Sequence, residues 1–491
     1  MKARGLFLST LFMGAVFASC TSESELNDIQ VEKKNGQAES YMAIDIVASG
    51  ETNSRGVDNG FESGSADEQA VNDLVLVFFK ADGSFYNAQK KDFSFTATDG
   101  TNPAVESKSD VVVVFTGTEV KPASFVALLN TGKAATSFEG KSLAQVQAEI
   151  TDYATTANDN KFFVMSNSVY SKNGAIQVAA PITDDMICSS EEAAKANPAI
   201  AYVERVAAKL QATASANVTV EGKEVTLNGS KITLIPTITG MKFVDTNLAS
   251  YLLKDITGVD ASWSDATNYR SYWANSYVPA EYQKYSYNDA FANGAASLTE
   301  YANENTSNTP TKLLVTATIK AEQDAQPVDI YKYKGYYYTE AGLQAEIASI
   351  LKGNGLKYTI GETEGDDWAQ YITVTHPQGV EQWEGVITVT DAITVSDNVK
   401  AEIAKLDKVR WWNDGKCYFY VPVEHFGEDA VGVVRNHWYQ LAVNSISGLG
   451  TPVADPTEPI IPEKIEDETY YVAAQVQILK WKVVTQNVAL D

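Results

Sequence analysis

Cysteine and histidine are scarce in this 491-residue chain, three of each. Cys20 lies within a processing segment described below, so only Cys188 and Cys417 could pair, which excludes a disulfide framework. Each thiol reads as a small buried hydrophobe, with a Cys188–Cys417 bridge as the lesser alternative. His376, His425 and His437 stand at no metal-ligand spacing, and no metal site is expected. Positive charge is also short: 38 Lys and Arg against 63 Asp and Glu leave a net charge of −25. That diffuse negative field repels phosphate backbones and anionic lipid, so no nucleic-acid partner is expected. A Gly-rich phosphate loop, a nucleophile elbow and a His/carboxylate triad spacing are all lacking. The chain therefore does not read as an enzyme, and no cofactor is expected.

What is present is apolar β-pattern. Apolar residues make up 44% of the chain, ordinary globular content, and the length suits two or three domains. Residues 71–79 read as a buried strand closed by the Asp82-Gly83 turn. Further strands are expected at 110–115, 124–129, 162–165, 176–180, 201–213 and 225–239, then at 311–320, 371–375, 385–390, 417–423 and 438–443. Helices are expected at 143–154 and at 340–351, where Leu343, Ile347, Ile350 and Leu351 share a face. Many short strands with few helices predict a mainly β fold: two tandem β-sandwich domains of transthyretin-like or Greek-key type, with an extended C-terminal strand. The boundary is placed at 247/248, where a long strand gives way to a Tyr/Asn/Ser-rich region. The cluster Tyr331, Tyr333, Tyr336, Tyr337 and Tyr338 reads first as cross-strand packing and second as a sugar-stacking surface. The acidic run 362–367 lacks the alternation of a calcium loop and reads as a solvated turn.

The N-terminus has the layout of a processing segment. Lys2 and Arg4 precede an apolar stretch, Leu6 to Phe17, too short to span a bilayer, and Phe17-Ala18-Ser19-Cys20 resembles a bacterial lipobox. Residues 1–19 are then a lipoprotein signal peptide, and Cys20 is the expected lipidation site. After the acidic Ser22-Glu23-Ser24-Glu25 run comes a short strand with Met42, Ile44 and Ile46 on one face. A polar loop follows, carrying Arg55 and Gly56, of the kind that proteases cut.

At the other end, Pro452, Pro456, Pro459 and Pro462 alternate with acidic residues in a stiff, self-repelling tether, 452–468. Beyond it the segment 469–491 reads as a β-segment with no local partner. Val472, Ala474, Val476 and Ile478 share one face; at Ile478-Leu479 the phase flips, and Leu479, Trp481 and Val483 become the apolar set. A break or bulge must intervene if one surface is to bury both halves. Taken alone, this tail most economically folds back as the last strand of its own domain.

Together these residues resemble the type V pilins, the minor-fimbria (Mfa-type) shaft family of Bacteroidales. The likeness is carried by the lipobox at Cys20, the strand-loop-arginine unit from Met42 to Arg55, the Tyr202-Val203-Glu204-Arg205-Val206-Ala207-Ala208-Lys209-Leu210 run, and the Val434-Arg435-Asn436-His437-Trp438-Tyr439-Gln440-Leu441 run with the tether and tail after it. It is weakest over residues 250–380. The resemblance implies a structural subunit of a cell-surface fimbria that supports adhesion, exported as a precursor lipid-anchored at the outer membrane. It implies cleavage by an arginine-specific protease between Arg55 and Gly56, loss of the propeptide 20–55 with its detachable strand (Met42, Ile44, Ile46), and polymerisation by strand exchange. The donor strand would be Val472, Ala474, Val476, Ile478, Leu479, Trp481 and Val483 of a neighbour. The body would then comprise 56–247 and 248–451. Implied partners are other copies of the chain head-to-tail, anchor and tip subunits of the fimbria, and host or bacterial receptors. A tip or anchor role, or a surface glycan-binding lipoprotein, are the alternatives: an anchor would keep its lipid, and a tip needs no donor tail.

Overall fold

The run Leu74-Val75-Leu76-Val77-Phe78-Phe79 has no polar residue, so as a strand it needs cover on both faces. The computed structural model describes residues 39–49, 63–97, 105–116, 121–172, 175–221, 223–258, 264–265, 270–271, 274–294, 296–322, 324, 326–425, 431–460, 471–478 and 486–487. In it all six of these side chains are fully buried. Leu74, Leu76 and Phe78 enter one core, and Val75, Val77 and Phe79 enter another on the opposite face. The chain is mainly β.

The first body is built on one sheet. Its key strands are Glu39–Ser49 (β1), Val105–Thr116 (β2) and Ala199–Arg205 (β3). Across the sheet the order runs Phe85–Lys90, Leu74–Phe79, Ser124–Leu129, Met165–Asn167, β3, β1, β2, Thr96–Ala97. Phe78 and Phe115 lie five strand spacings apart in that order, about 24 Å on a flat sheet at ~4.8 Å per strand. Their ring centroids are nevertheless 5.1 Å apart, edge to face. The sheet therefore curls over itself and closes on one core, which holds Met42, Ile44 and Ile46 together with Phe78, Phe115 and Phe125.

The chain crosses to the second body at Val206. Sequence pattern reads residues 201–213 as one strand, but the structure divides them between β3 and Ala207–Glu221 (β4), which belong to different sheets. Val206 packs in the first body while Ala208 and Leu210 enter the core of the second. Leu252 and Leu253 then return to the first body's core, so the first body draws on chain beyond 247. In the second body, β4 pairs parallel with Trp438–Ser447 (β5) and antiparallel with Ser297–Asn303, and β5 pairs antiparallel with Tyr471–Ile478 (β6). A larger sheet through Ser230–Val244, Lys312–Ala321 and Lys416–Pro422 shares its core: Leu210, Tyr439 and Leu441 meet Phe243, Val315 and Phe419. Asn228 and Gly229, at φ 50° and 83°, turn the hairpin Lys223–Leu227/Ser230–Val244, the geometry Asn-Gly favours.

A third packing unit extends that larger sheet. Helices Glu340–Gly353 and Asp397–Ile403 cover strands including Ile330–Tyr333 and Glu384–Val389 around Leu343, Ile347, Leu351, Trp368 and Val409. Thr339 caps the longer helix by accepting from Gly342 N. The expected helix at 143–154 is shorter, Leu143–Gln147.

Candidate functional site

β1 owes its place to alternation. Met42, Ile44 and Ile46 are fully buried in the curled core. On the other face Ala43 packs with Cys188 and Ala194 beneath the short helix Glu191–Ala196, with Tyr41 alongside. β1 runs antiparallel to β2, with Met42 opposite Val113, Ile44 opposite Val111 and Asp45 opposite Asp110. It runs parallel to β3, with Ile44 beside Ala199 and Ile46 beside Ala201. Tyr41 and Cys188 exchange backbone bonds, N to O 2.7 Å and 2.8 Å. Taking β1 away would uncover three apolar pockets and two rows of backbone donors and acceptors.

Arg55 and Gly56 lie outside the described residues, as does Cys20. The chain is firmly held just beyond them. Gly64 N donates to Glu106 Oε2 at 2.8 Å, and Ser65 caps the turn Ala66–Gln69 in a box with Glu68. Arg205 Nε donates to the Glu68 carbonyl at 2.8 Å and its guanidinium pairs with Glu106. Lys209 Nζ stands 2.8 Å from Glu68 Oε1, to which the Tyr301 hydroxyl donates at 2.5 Å. Burial by itself would raise the Glu68 carboxyl, but Lys209, Tyr301 and the Ser65 backbone together hold it below the usual carboxylate range. A side chain at 64 would collide with Arg205 Nη2 at 2.6 Å, so this anchor demands glycine. Residues 50–62, outside the described residues, thus join in sequence a seated strand to a clamped segment.

The Tyr202–Leu210 and Val434–Leu441 runs meet at the junction of the two bodies. Asn436, at φ 59°, donates from its backbone to Ala207 O at 2.6 Å, and Lys209 N donates to His437 O at 2.9 Å. Beside them lie two fully buried ion pairs: Lys254 Nζ to Glu204 Oε1 at 2.9 Å, and Arg435 Nη2 to Glu304 Oε1 at 3.3 Å. Arg435 also donates to the carbonyls of Tyr251 at 2.7 Å and Leu252 at 3.3 Å. Desolvation pushes the Lys254 ammonium down, opposed by Glu204 and Glu304. Glu204 and Arg435 stand in the two runs that carry the resemblance, whereas Lys254 and Glu304, their partners, have no sequence signal.

The tail strand β6 is paired at home. Ile478, Val476, Ala474 and Val472 are register partners of Tyr439, Leu441, Val443 and Ile446 on β5. Leu479, Trp481 and Val483 lie outside the described residues. Upstream, the first part of the proline-rich stretch packs on the second body: Val453 and Ala454 are buried, Ile460 N donates to Tyr285 O at 2.7 Å, and His376 Nε2 is 3.1 Å from Glu458 Oε2.

The remaining features read from sequence are structural. Cys188 and Cys417 do not bridge to each other and are buried in different bodies, with Cys188 Sγ donating to Asp185 O at 3.5 Å. Tyr331 stacks on Trp411 at 5.9 Å, Tyr337 packs against Trp412 at 5.9 Å, and Tyr333 is buried, whereas Tyr336 is 63% exposed. In the acidic run, Glu364 and Asp366 pair with Lys357 and Lys352. Among the described residues no cluster of His, Cys, Asp and Glu could hold a metal, and no helix is long and apolar enough to cross a membrane.

Residues 410–487 match the family described as major fimbrial subunit protein type IV, Fimbrillin, C-terminal. No curated protein matches the chain. Solved structures with a likeness include a candidate cell adhesion protein from Parabacteroides distasonis (13% identity, 92% of this chain and 99% of that one, TM-score 0.41). The tip fimbrial protein Mfa3 from Porphyromonas gingivalis, C-terminally truncated, has 12% identity over 89% of this chain and 99% of that one, TM-score 0.32. A fimbrial assembly protein from Parabacteroides distasonis has 10% identity over 74% and 100%, TM-score 0.30. The matched stretch contains the junction motif, β5 and β6, so over this C-terminal region the chain is similar to the fimbrillin family.

Proposed function

We propose that this protein is the polymerising shaft subunit of a cell-surface fimbria. It is exported as a lipoprotein precursor anchored at the outer membrane through Cys20, cut between Arg55 and Gly56, and assembled by strand exchange. The observation that carries this reading is β1. It fills the middle of a sheet with Met42, Ile44 and Ile46 fully buried, yet the chain after the cleavage loop is anchored by its own clamp at Gly64 and Glu68. A cut in loop 50–62 would sever the covalent link to β1 while leaving the Gly64/Glu68 clamp on β2 and β4 intact. The vacated groove offers two unpaired edges and alternating apolar pockets, the setting for β-augmentation by the tail of another copy. That contact is head-to-tail and does not close on itself, so it propagates into a filament. The tail then leaves β5 of its own body for the groove of the next subunit.

The deciding experiment recovers the protein from the surface of its producing cell and determines its N-terminus and assembly state. Gly56 at the start, with ladders in mild detergent that disappear when residues 469–491 are deleted, is the expected result. A lipidated Cys20 on an isolated monomer would overturn the proposal.

A further inference from the structure

In the precursor, β1 fits its groove well on the core side and poorly on the other. Asp45 sits directly opposite Asp110 on β2, and like charges facing each other across antiparallel strands are destabilising. Burial, and then Asp110, push the Asp45 carboxyl up to about 6, the mark of an uncomfortable site for a carboxylate. Relief comes from Lys108 on β2, 3.9 Å from Asp110 and half exposed, and more weakly from Lys195, which also feels Asp110, while β3 places the uncharged Ile200 beside Asp45. The helix packed over this face adds Glu191, Glu192 and Lys195, with Lys195 engaged by Glu191.

The tail carries the opposite charge at the matching spacing. β1 reads Ile44-Asp45-Ile46, apolar–acid–apolar, and the tail reads Leu479-Lys480-Trp481-Lys482-Val483, apolar–base–apolar–base–apolar. Seating two consecutive apolar residues of that run where Ile44 and Ile46 sit brings a lysine to the position opposite Asp110. We infer that the β1 groove selects its occupant by charge: Asp110 repels the precursor's own strand through Asp45 and pairs with Lys480 or Lys482 of a second copy's tail. This rests on the strand-exchange reading above and adds its direction. The precursor strand is the mismatched occupant and the tail the matched one.

The test uses the full-length precursor cut by an arginine-specific protease, with ladder formation followed at low salt. Changing one like-charge pair to an opposite-charge pair is worth on the order of 1 kcal/mol at a half-exposed site, so Asp110→Lys alone, or Lys480→Glu with Lys482→Glu alone, should slow assembly roughly five- to tenfold. Combining the three substitutions with Asp45→Lys, which reverses every charge of the set, should restore the wild-type rate, and raising the salt concentration should shrink every difference. In the uncut precursor Asp110→Lys should raise the melting temperature, because position 110 then attracts Asp45; this readout does not depend on assembly. Wild-type assembly with charge variants that assemble equally fast, or with no rescue in the combination, would overturn the inference and leave strand exchange standing. Wild-type subunits that are cut but never form ladders would overturn both.

Discussion

β1 and β6 each lie beside a proposed site of exchange, and they are held in opposite ways. β1 lies inside its sheet, paired on both sides by long strands, with Met42, Ile44 and Ile46 fully buried. β6 lies against β5 near the sheet margin, with only the two-residue strand Gln486–Asn487 beyond it. Under the proposed strand exchange, the strand that would leave is thus the more deeply built in, and the strand that would travel is the more peripheral. This teaches where control of assembly resides. A peripheral tail can search for a partner at little cost, but a central strand leaves only when its covalent link is cut and a replacement is at hand. Cleavage and arrival, rather than tail affinity alone, would then set when subunits join.

The sharpest way to break the comparison is to delete each strand in turn. Removing residues 39–49 withdraws three fully buried side chains, roughly 1.5–3 kcal/mol each, and opens two strand edges. The sum approaches the whole net stability of a typical domain, ~5–15 kcal/mol. The β1-deleted protein should be insoluble or lack a cooperative melt, whereas a protein lacking residues 469–491 should melt cooperatively near the wild-type temperature. Comparable melts for the two deletions would remove the asymmetry. Next in size is the junction. Arg435→Met leaves Glu304 buried and unpaired and should cost about 3–5 kcal/mol by denaturant unfolding, irrespective of whether β1 is present.

These two regions were not equally legible in the amino-acid sequence. β1 and its buried face follow from plain alternation in Met42, Ile44 and Ile46, and the helix Glu340–Gly353 from Leu343, Ile347 and Leu351. Alternation also marks β6 as a strand, but a strand's partner is a tertiary fact, and its home on β5 is visible only in the fold. The junction was opaque for the same reason. Lys254 meets Glu204 across 50 residues of sequence and Arg435 meets Glu304 across 131, so no local spacing announces either pair. The crossing at Val206 carries neither glycine nor proline; its trace in the sequence is a shift of the apolar alternation from Ala201 and Val203 to Val206, Ala208 and Leu210 across the charged pair Glu204-Arg205, and a phase shift alone does not say that the chain changes sheets.

A single side chain can sharpen the contrast. Ile44→Ala should destabilise the precursor by about 2–5 kcal/mol, the usual cost of a core cavity, and should speed the loss of β1 after cleavage. The same protein assembled into a filament should be no less stable than wild type, because β1 is no longer part of it. Equal destabilisation of precursor and filament, measured by thermal melting of each, would mean that β1 stays in the assembled subunit.

The smallest expected effect is set by pH and acts on β1 alone. The Asp45 carboxyl is pushed up to about 6 by burial and by Asp110, against 3.8 ordinarily. Below the ordinary value Asp45 is protonated whether β1 is seated or free, and the seated strand is at its most stable. As pH rises from there through about 6, the free strand ionises first and the seated one is left holding a proton or facing Asp110 as a like charge. Stability is therefore lost over that window. Because Asp45 is only half-buried and Asp110 is exposed, solvent screening reduces the loss to about 1 kcal/mol. Amide exchange in residues 42–47 of the uncut precursor, corrected for its intrinsic pH dependence, should accelerate between about pH 4 and 6.5 and then level off, whereas amides of β6 should not respond. Asp45→Asn mimics the protonated acid and should abolish the difference. Persistence of the acceleration in that variant would place the titrating group elsewhere and remove the electrostatic part of the distinction between the two strands.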